Sequence, residues 1–249
     1  AEPGDSLMPT QYLNLPGIKI AYSEAGSGQN LLLLHGNSES KKIFTLYQSN
    51  YFSEFHTYAP DSRGHGQSQS VDSEYSIQQY CNDTIAFCQS LNIEKTNLIG
   101  YSDGANSGLL LARDAPHLFN RVILVSPNYL VSGTDEKTLE IFTITYKIWL
   151  YLSRLGLPTR KAAMRYALML NDIGISAEEM KSIRLPVKII YAEKEMIKED
   201  HILEIAGYIS NAEVERITGA THMNILQQPA AVTKCSSGLQ SNPISTCCC

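Results

Sequence analysis

The sequence lacks the features that mark nucleic-acid-binding and membrane-spanning chains. Its 249 residues include 20 basic and 25 acidic ones, for a formal net charge of −5, and no basic patch favours a nucleic-acid partner. The most apolar stretch, 141–152, contains Lys147 and is too short to cross a bilayer. Residues 1–10 contain two acidic residues and two prolines but no apolar run. We therefore expect no membrane span and no secretory leader there, and a leader already removed stays an alternative.

Metal-binding cysteine spacing is also missing. None of the six cysteines shows the Cys-x-x-Cys or Cys/His spacing of a zinc site. Cys81 and Cys88 lie two turns apart on one predicted helix, too far for a disulfide, and are expected to be buried thiols. The last three residues are all cysteine, but a prenylation signal would need cysteine at Thr246. We expect no metal ion, no organic cofactor and a reduced, cytoplasmic setting. The basic residues at 41–42 and 154–165 are expected to be solvated.

Short apolar segments alternate with stretches of helical period along most of the chain. Strands are predicted at 11–15, 17–22, 30–34, 55–59, 96–100, 121–126, 186–192 and 213–218, with helices at 76–91 and 103–115. Strands separated by helices require crossover connections, so the pattern predicts an α/β fold with a mostly parallel sheet. The first two strands can pair as an antiparallel edge hairpin around Pro16-Gly17.

The alternation stops between residues 128 and 184. This segment contains helical patterns at 139–155, 160–170 and 177–183 but no convincing strand, and Ser176 with Glu179 fits a capping box. An insertion between two parallel strands predicts a helical lid over the strand ends, where such sheets bind ligands. An ordinary pair of crossover helices with a long loop is the alternative.

These patterns divide the chain into three parts. A final amphipathic helix is predicted from Pro229, and from Ser236 the sequence turns polar and helix-poor. We predict a core of residues 1–127 and 185–235, an inserted lid of 128–184, and a disordered or non-native tail of 236–249.

The segment Gly100-Tyr101-Ser102-Asp103-Gly104 carries the strongest chemical signal. It follows a predicted strand and precedes a predicted helix, which is the context of a nucleophile elbow. The glycines are needed because larger side chains would collide at so sharp a turn. Such a turn exposes the serine hydroxyl beside a helix N-terminus, which favours developing negative charge. Ser102 is the predicted nucleophile.

A second loop follows the apolar strand at 30–34. A sharp turn at Gly36 would bring the backbone N–H of Asn37 towards the serine, where it would form an oxyanion hole with the N–H of Asp103. His35 is expected to brace this loop and not to act in catalysis.

The hydroxyl needs a base, and the base needs an acid. His222 lies in a small-residue loop, 219–223, directly after the last predicted strand, and is the predicted base. Glu195, after the strand at 186–192, is the predicted acid. Glu193 and Asp200 are its competitors, each with solvated surface charge as the alternative.

Together these segments resemble the α/β-hydrolase superfamily, in particular its small single-domain esterase-like hydrolases of bacteria. The matching segments are 34–37, 61–68, 100–104, 192–197 and 219–222, within a resemblance that covers about 12–230. The order Ser102, Glu195, His222 fits the order of the triad in this fold. The family usually has Asp at the acid position, whereas this chain has Glu195. Relatives with an Asp nucleophile, the haloalkane dehalogenases and epoxide hydrolases, are excluded by Ser102.

The resemblance implies a serine hydrolase that cleaves a small-molecule carboxylic ester through an acyl-enzyme. A proline-iminopeptidase-like amide hydrolase, a C–C bond hydrolase and a non-catalytic ligand-binding homologue remain alternatives. The partner is thus expected to be a small ester or amide, and the sequence sets no oligomeric state. The residues predicted to contact substrate are Tyr101 and Met223 from the core and Tyr146, Tyr151, Met164, Tyr166, Met169 and Trp149 from the lid.

Overall fold

The computed structural model describes residues 8–70 and 74–240. Within these ranges the strands are β1 Gln11–Leu15, β2 Ile18–Ala25, β3 Asn30–Leu34, β4 His56–Pro60, β5 Gln69–Ser70, β6 Thr96–Tyr101, β7 Phe119–Val125, β8 Val187–Lys194 and β9 Ala212–Thr221. The α-helices are α1 Ile77–Ser90, α2 Asp103–Asp114, α3 Glu136–Arg154, α4 Arg160–Leu168, α5 Ala177–Ser182, α6 Glu199–Tyr208 and α7 Pro229–Gln240.

The strands form one sheet in the order β1-β2-β4-β3-β6-β7-β8-β9, with β5 paired to β2. β1 and β2 form an antiparallel hairpin, and β2 is also antiparallel to β4. The pairings from β4 through β9 are all parallel. Gly17 in the hairpin turn has φ +76°, a value that glycine adopts without steric cost. The predicted α/β fold with an edge hairpin is confirmed.

Both faces of the central strands are buried. In β3, Leu32 and Leu34 pack into the core beneath α1, α2 and α6, whereas Leu31 and Leu33 pack into a second core on the opposite face, beneath α7 and residues 44–55. A strand buried on both faces needs a continuous apolar run, which is what the sequence provides. Packing on both faces therefore holds the central strands in place, and with them the residues that follow their carboxyl ends.

The segment between β7 and β8 is helical. Residues 128–184 contain α3, α4 and α5 and, within this wholly described segment, no strand of the sheet. The predicted capping box of α5 is present, because Ser176 Oγ accepts the Glu179 N–H and the Glu179 carboxylate accepts the Ser176 N–H. The loop at Asn37 is tied to α4, since Asn37 Nδ2 donates to Arg165 O at 2.8 Å.

The tail prediction was wrong for residues 236–240. α7 continues to Gln240, because Val232, Cys235 and Leu239 recur at helical spacing and are all buried against the sheet. Residues 241–249, with the terminal cysteines, lie outside the described residues. Cys81 and Cys88 are buried free thiols, as predicted.

The expectation of a solvated Lys41 was also wrong. Its side chain is buried, and its Nζ pairs with Asp61 Oδ2 at 3.0 Å. The same carboxylate accepts the backbone N–H groups of Lys41 and Gln67, which closes the 61–68 loop. In the described ranges, no helix combines the length and the apolarity needed to cross a bilayer.

Candidate active site

Ser102 occupies a strained turn between β6 and α2. Its φ of 53° and ψ of −115° are unusual for a residue with a side chain, and its N–H donates to Val125 O of the neighbouring β7 at 2.9 Å. A Cβ on Gly100 would overlap the carbonyl of Gly104, and a Cβ on Gly104 would overlap the carbonyl of Leu34. Glycine is therefore required at both positions, and the chain has the geometry of a nucleophile elbow.

His222 lies directly against this serine. It begins the short 3₁₀ helix after β9, and its Nε2 is 3.2 Å from Ser102 Oγ. The Tyr101 hydroxyl donates to the His222 carbonyl at 2.8 Å and fixes the histidine backbone. The imidazole is thus within proton-transfer reach of the hydroxyl.

Glu195 lies on the other side of the imidazole. Its Oε1 accepts from His222 Nδ1 and from the Met196 N–H at 2.9 Å, and its Oε2 accepts from Ser126 Oγ at 2.6 Å. The Ala192 N–H approaches Oε2 at 3.4 Å. Burial alone would raise the pKa of Glu195, but the hydrogen bond and electrostatic attraction of His222, together with the hydrogen bonds from Ser126 and Met196, outweigh it and the pKa is lowered. The carboxylate is held ionised against the histidine.

The competing acids do not reach the histidine. Glu193 pairs with Arg216 at 3.0 Å and accepts the Gly219 N–H at 2.8 Å, whereas Asp200 is exposed at the start of α6. Of the three candidate acids, the structure brings Glu195 to the imidazole.

Ser126 was missed by the sequence analysis. It is buried at the end of β7, has a φ of 56°, and donates to the Glu195 carboxylate. The available signal was a serine as the last residue of the strand predicted at 121–126. Ser126 therefore brings the carboxyl end of β7 to the site, beside the carboxyl ends of β6 and β8.

The loop at Gly36 and Asn37 lies against the elbow. A Cβ added to Gly36 would be 3.1 Å from Ser102 Cβ, a tight contact that shows how closely this loop approaches the elbow. His35 braces the loop as expected, since its Nδ1 donates to Gly36 O and its Nε2 accepts the Ser62 N–H. The Asp103 N–H is the first of α2, where no intrahelical acceptor exists for it.

Two carboxyl groups adjoin the serine without a cationic partner at hydrogen-bond distance. Asp103 is buried; its Oδ2 accepts from Asn37 Nδ2 at 2.8 Å and its Oδ1 from Asn106 Nδ2 at 3.4 Å. Burial raises the pKa of Asp103 to about 6, against the lowering effect of these hydrogen bonds and of His222. Burial also raises the pKa of Glu39, whose carboxylate accepts the Gly36 N–H at 3.2 Å. Burial therefore makes each carboxyl group harder to ionise than the same group in water.

A cleft opens over the serine between the sheet and the helical insertion. Its empty volume, including the open mouth, is about 460 Å³. It is lined by Ser102, Asp103, Asn106, Ser126, Asn128, Tyr129, Leu130, Thr134, Phe142, Leu168, Met169, Asn171, Ile173, Met196, Ile197 and His222. Among the described residues that line it, Asp103 is the one acidic residue, and none is Lys or Arg. Over the described residues no cluster of three or more His, Cys, Asp or Glu side chains could hold a metal ion.

Most of the residues predicted to contact substrate do not line this cleft. Met169 does, but Tyr101 is buried behind His222 and Met223 is 67% exposed. Tyr146 and Trp149 pack half-buried against the core, and Tyr151, Met164 and Tyr166 also lie outside the lining. Helical spacing placed these aromatic residues on α3 and α4 but did not show which face of each helix meets the cleft. Phe142 is the residue of α3 that lines the cleft.

Comparison with known proteins agrees with this architecture. The family model of the alpha/beta hydrolase fold matches residues 29–147. An uncharacterized protein of Mycobacterium tuberculosis is 33% identical over 123 residues, which are 49% of this chain and 36% of that protein. A 2-(acetamidomethylene)succinate hydrolase of Mesorhizobium japonicum is 29% identical over 108 residues, 43% of this chain and 39% of that protein. The matches thus span little more than a third of the length of either relative.

Solved structures share the fold over nearly the whole chain. The enol-lactonase from Burkholderia xenovorans has a TM-score of 0.77 and 17% identity, and covers 93% of this chain and 100% of its own. A carboxylesterase structure from Nitrososphaera gargenis has a TM-score of 0.78 and 18% identity, covering 92% and 97%. The family match over residues 29–147 and the shared architecture lead to one conclusion: this chain has the α/β-hydrolase fold.

Proposed function

We propose that this protein is a serine hydrolase that cleaves a small-molecule carboxylic ester through an acyl-enzyme intermediate. The observation that carries the proposal is the contact of His222 with both Ser102 and Glu195, with Ser102 Oγ 3.2 Å from Nε2. Three groups that are distant in sequence meet in the order nucleophile, base and acid, which is the arrangement that activates a serine hydroxyl.

In the proposed first step, Ser102 Oγ attacks the ester carbonyl carbon while its proton passes to His222 Nε2. The carbon–alkoxy bond then breaks, and the same proton leaves with the alcohol. In the second step, water gives a proton to His222 and attacks the acyl group, which releases the acid and restores the serine. Glu195 keeps its charge throughout and stabilises the imidazolium.

The proposed oxyanion hole consists of the backbone N–H groups of Asn37 and Asp103. Support comes from the close approach of Gly36 to Ser102 and from the position of Asp103 at the start of α2. One such donor is worth about 3 kcal/mol of transition-state stabilisation in comparable enzymes. The side chain of Asn37 is already engaged with Asp103 and Arg165, which fixes the peptide that would present the first N–H.

The proposed substrate is uncharged near its scissile bond. Asp103 lines the cleft, and no Lys or Arg is among the described residues that do so. A carboxylate in the cleft would lose its hydration beside a carboxyl group and gain no cation in return. We therefore do not propose for this chain the dicarboxylate substrate that the name of the Mesorhizobium relative gives.

The proposal is tested with p-nitrophenyl acetate and with a fluorophosphonate probe followed by peptide mapping. We expect hydrolysis by the wild type, labelling of the peptide that contains Ser102, and loss of both in Ser102→Ala. Ser107→Ala is the matched control, because Ser107 is a buried serine of the same helix whose hydroxyl bonds to Asp103 O at 2.9 Å. Equal hydrolysis by the wild type and Ser102→Ala refutes the assignment.

Charge preference is tested separately with the mono-p-nitrophenyl ester of succinic acid. We expect its kcat/KM to be at least about tenfold below that of the acetate ester, the factor that about 1.4 kcal/mol represents. A higher value for the succinate ester would refute the substrate argument and leave the triad assignment intact.

A further inference from the structure

Arg165 belongs to α4 of the helical insertion, yet two of its polar contacts cross to loops of the core. Its Nη1 donates to Gly64 O at 3.2 Å, and its carbonyl accepts from Asn37 Nδ2 at 2.8 Å. The guanidinium thus reaches the 61–68 loop, and the backbone reaches the loop that follows β3. Arg165 is not among the described residues that line the cleft. Direct contact with a substrate in the cleft therefore does not explain these bonds.

The Arg165 carbonyl accepts from outside the helix because α4 tightens at its end. In a regular α-helix this carbonyl would accept from the Met169 N–H, four residues further on. The Met169 N–H instead bonds to Tyr166 O at 3.2 Å. Asn37 therefore supplies the Arg165 carbonyl with a donor that the helix itself does not. Carbonyls at a helix C-terminus carry partial negative charge, which strengthens such a bond.

The side chain of Asn37 is held on every polar atom. Its Nδ2 donates to Arg165 O and to Asp103 Oδ2, each at 2.8 Å, and its Oδ1 accepts from Ser38 Oγ at 2.9 Å. A flipped amide would put its oxygen against a carbonyl and a carboxyl group, so these partners fix its orientation. The side chain is therefore held by α4 on one side and by the residue after the nucleophile on the other.

The two loops that Arg165 contacts are also joined to each other by His35. The Ser62 N–H donates to His35 Nε2 at 3.0 Å, and His35 Nδ1 donates to Gly36 O at 2.8 Å. With the two contacts of Arg165, these bonds close a ring through α4 and both loops. Because each link restrains the others, loss of one should loosen the peptide that follows Gly36.

The packing of α4 on the core does not depend on Arg165. Ala163, Met164 and Leu168 of this helix are buried in the core. The Arg165 Nε is buried and has no hydrogen-bond partner within the described residues, which lowers stability. An apolar side chain of similar length is often tolerated at such a place. The polar contacts of Arg165 therefore bear on where the last turn of α4 lies more than on whether the helix packs.

We propose that Arg165 is a positioning residue for the oxyanion hole: it holds the last turn of α4 against the Asn37 side chain and thereby sets the Asn37 N–H. This inference rests on the proposed function, in which that N–H and the N–H of Asp103 receive the developing oxyanion. Such donors act on the transition state because they are held in place before the reaction. The helical insertion then takes part in the chemical step, in addition to covering the cleft.

The first measurement is steady-state hydrolysis of p-nitrophenyl acetate by Arg165→Met. An oxyanion forms in both acylation and deacylation, so we expect kcat to fall at least about tenfold and KM to change less than about threefold. Arg165→Lys keeps a cationic donor for Gly64 O and should recover most of the loss. Arg160→Met is the matched control, because Arg160 is an exposed arginine at the start of the same helix. It should hydrolyse the ester as the wild type does.

A double-mutant cycle shows whether Arg165 acts through Asn37. Asn37→Ala removes the side chain that contacts Arg165 O but keeps the backbone N–H. We expect kcat to fall at least about tenfold in Asn37→Ala, and Arg165→Met should then lower it by less than about threefold more. A purely structural role of Arg165 would lower kcat by the same factor in both backgrounds.

The same four proteins are compared for their affinity for phenylboronic acid. Its tetrahedral adduct with the serine places an oxygen in the oxyanion hole, so it reports on the hole without turnover. The affinity should fall in the pattern that kcat follows in the cycle.

Three results would overturn the inference. They are wild-type kcat in folded Arg165→Met, wild-type kcat in Asn37→Ala, and equal losses from Arg165→Met in the two backgrounds. Melting curves establish that each variant is folded, and Arg165→Gln, whose side chain is too short to reach Gly64 O, replaces an insoluble Arg165→Met. Failure of the proposed function looks different, because Ser102→Ala would then be as active as the wild type. Failure of this inference alone leaves Ser102→Ala inactive.

Discussion

The buried carboxyl group beside the nucleophile makes stability depend on pH in a predictable direction. The pKa of Asp103 is raised by burial from 3.8 to about 6, so the fold favours the protonated group. The stabilisation is fully present below about pH 3.8 and is lost as the pH rises through about 6. The difference corresponds to about 3 kcal/mol. Asp103→Asn keeps the shape of the side chain but cannot ionise. The free energy of unfolding of the variant, minus that of the wild type, should therefore rise by up to about 3 kcal/mol from pH 4 to pH 8.

The assay is urea unfolding of both proteins at about pH 4 and about pH 8. The free energy of unfolding of the variant minus that of the wild type is obtained at each pH, and the two values are compared. Any cost of refitting the amide next to Asn106 is independent of pH and cancels. Asp114→Asn is a control of opposite sign, because its hydrogen bond from Arg113 lowers the pKa of Asp114. That variant should lose stability relative to wild type as the pH rises. A difference between Asp103→Asn and wild type that does not change with pH would refute the reasoning.

Three further substitutions test other parts of the structure. Ser126→Ala removes a hydrogen bond to the Glu195 carboxylate, and kcat for an aryl ester should fall about tenfold with KM little changed; an unchanged kcat would contradict a positioning role. Gly104→Ala places a methyl group into the Leu34 carbonyl, so we expect destabilisation of more than about 4 kcal/mol or no soluble protein; a normal melting temperature would contradict it. Leu239→Ala should cost about 2 to 3 kcal/mol in urea unfolding, and no change would contradict the packing of α7.

The parts of the molecule that the sequence predicted are those that depend on neighbours in the chain. The run at 30–34 reads as a buried strand without reference to its partners, and the glycines around Ser102 read as a sharp turn. The choice of Glu195 and His222 needed one further step, that loops after parallel strands meet at one sheet edge.

What the sequence did not predict depends on contacts between distant segments. Ser126 meets Glu195, 69 residues away, only because β7 and β8 are adjacent. Lys41 is buried because Asp61 comes to lie beside it, and nothing in the local sequence distinguishes it from a solvated lysine. α7 extends past Ser236 because the sheet offers an apolar surface that outweighs the weak helix propensity of the segment.

The site is assembled from chain segments that the ribosome makes at very different times. Ser102 and the loop at Asn37 belong to the first half of this sequence, whereas Glu195 and His222 arrive with β8 and β9, the last two strands of the described residues. On the proposed assignment, a nascent chain that ends before β9 presents a hydroxyl with no base to activate it. On the same assignment, hydrolysis requires β9 to have paired with β8 at the far edge of the sheet.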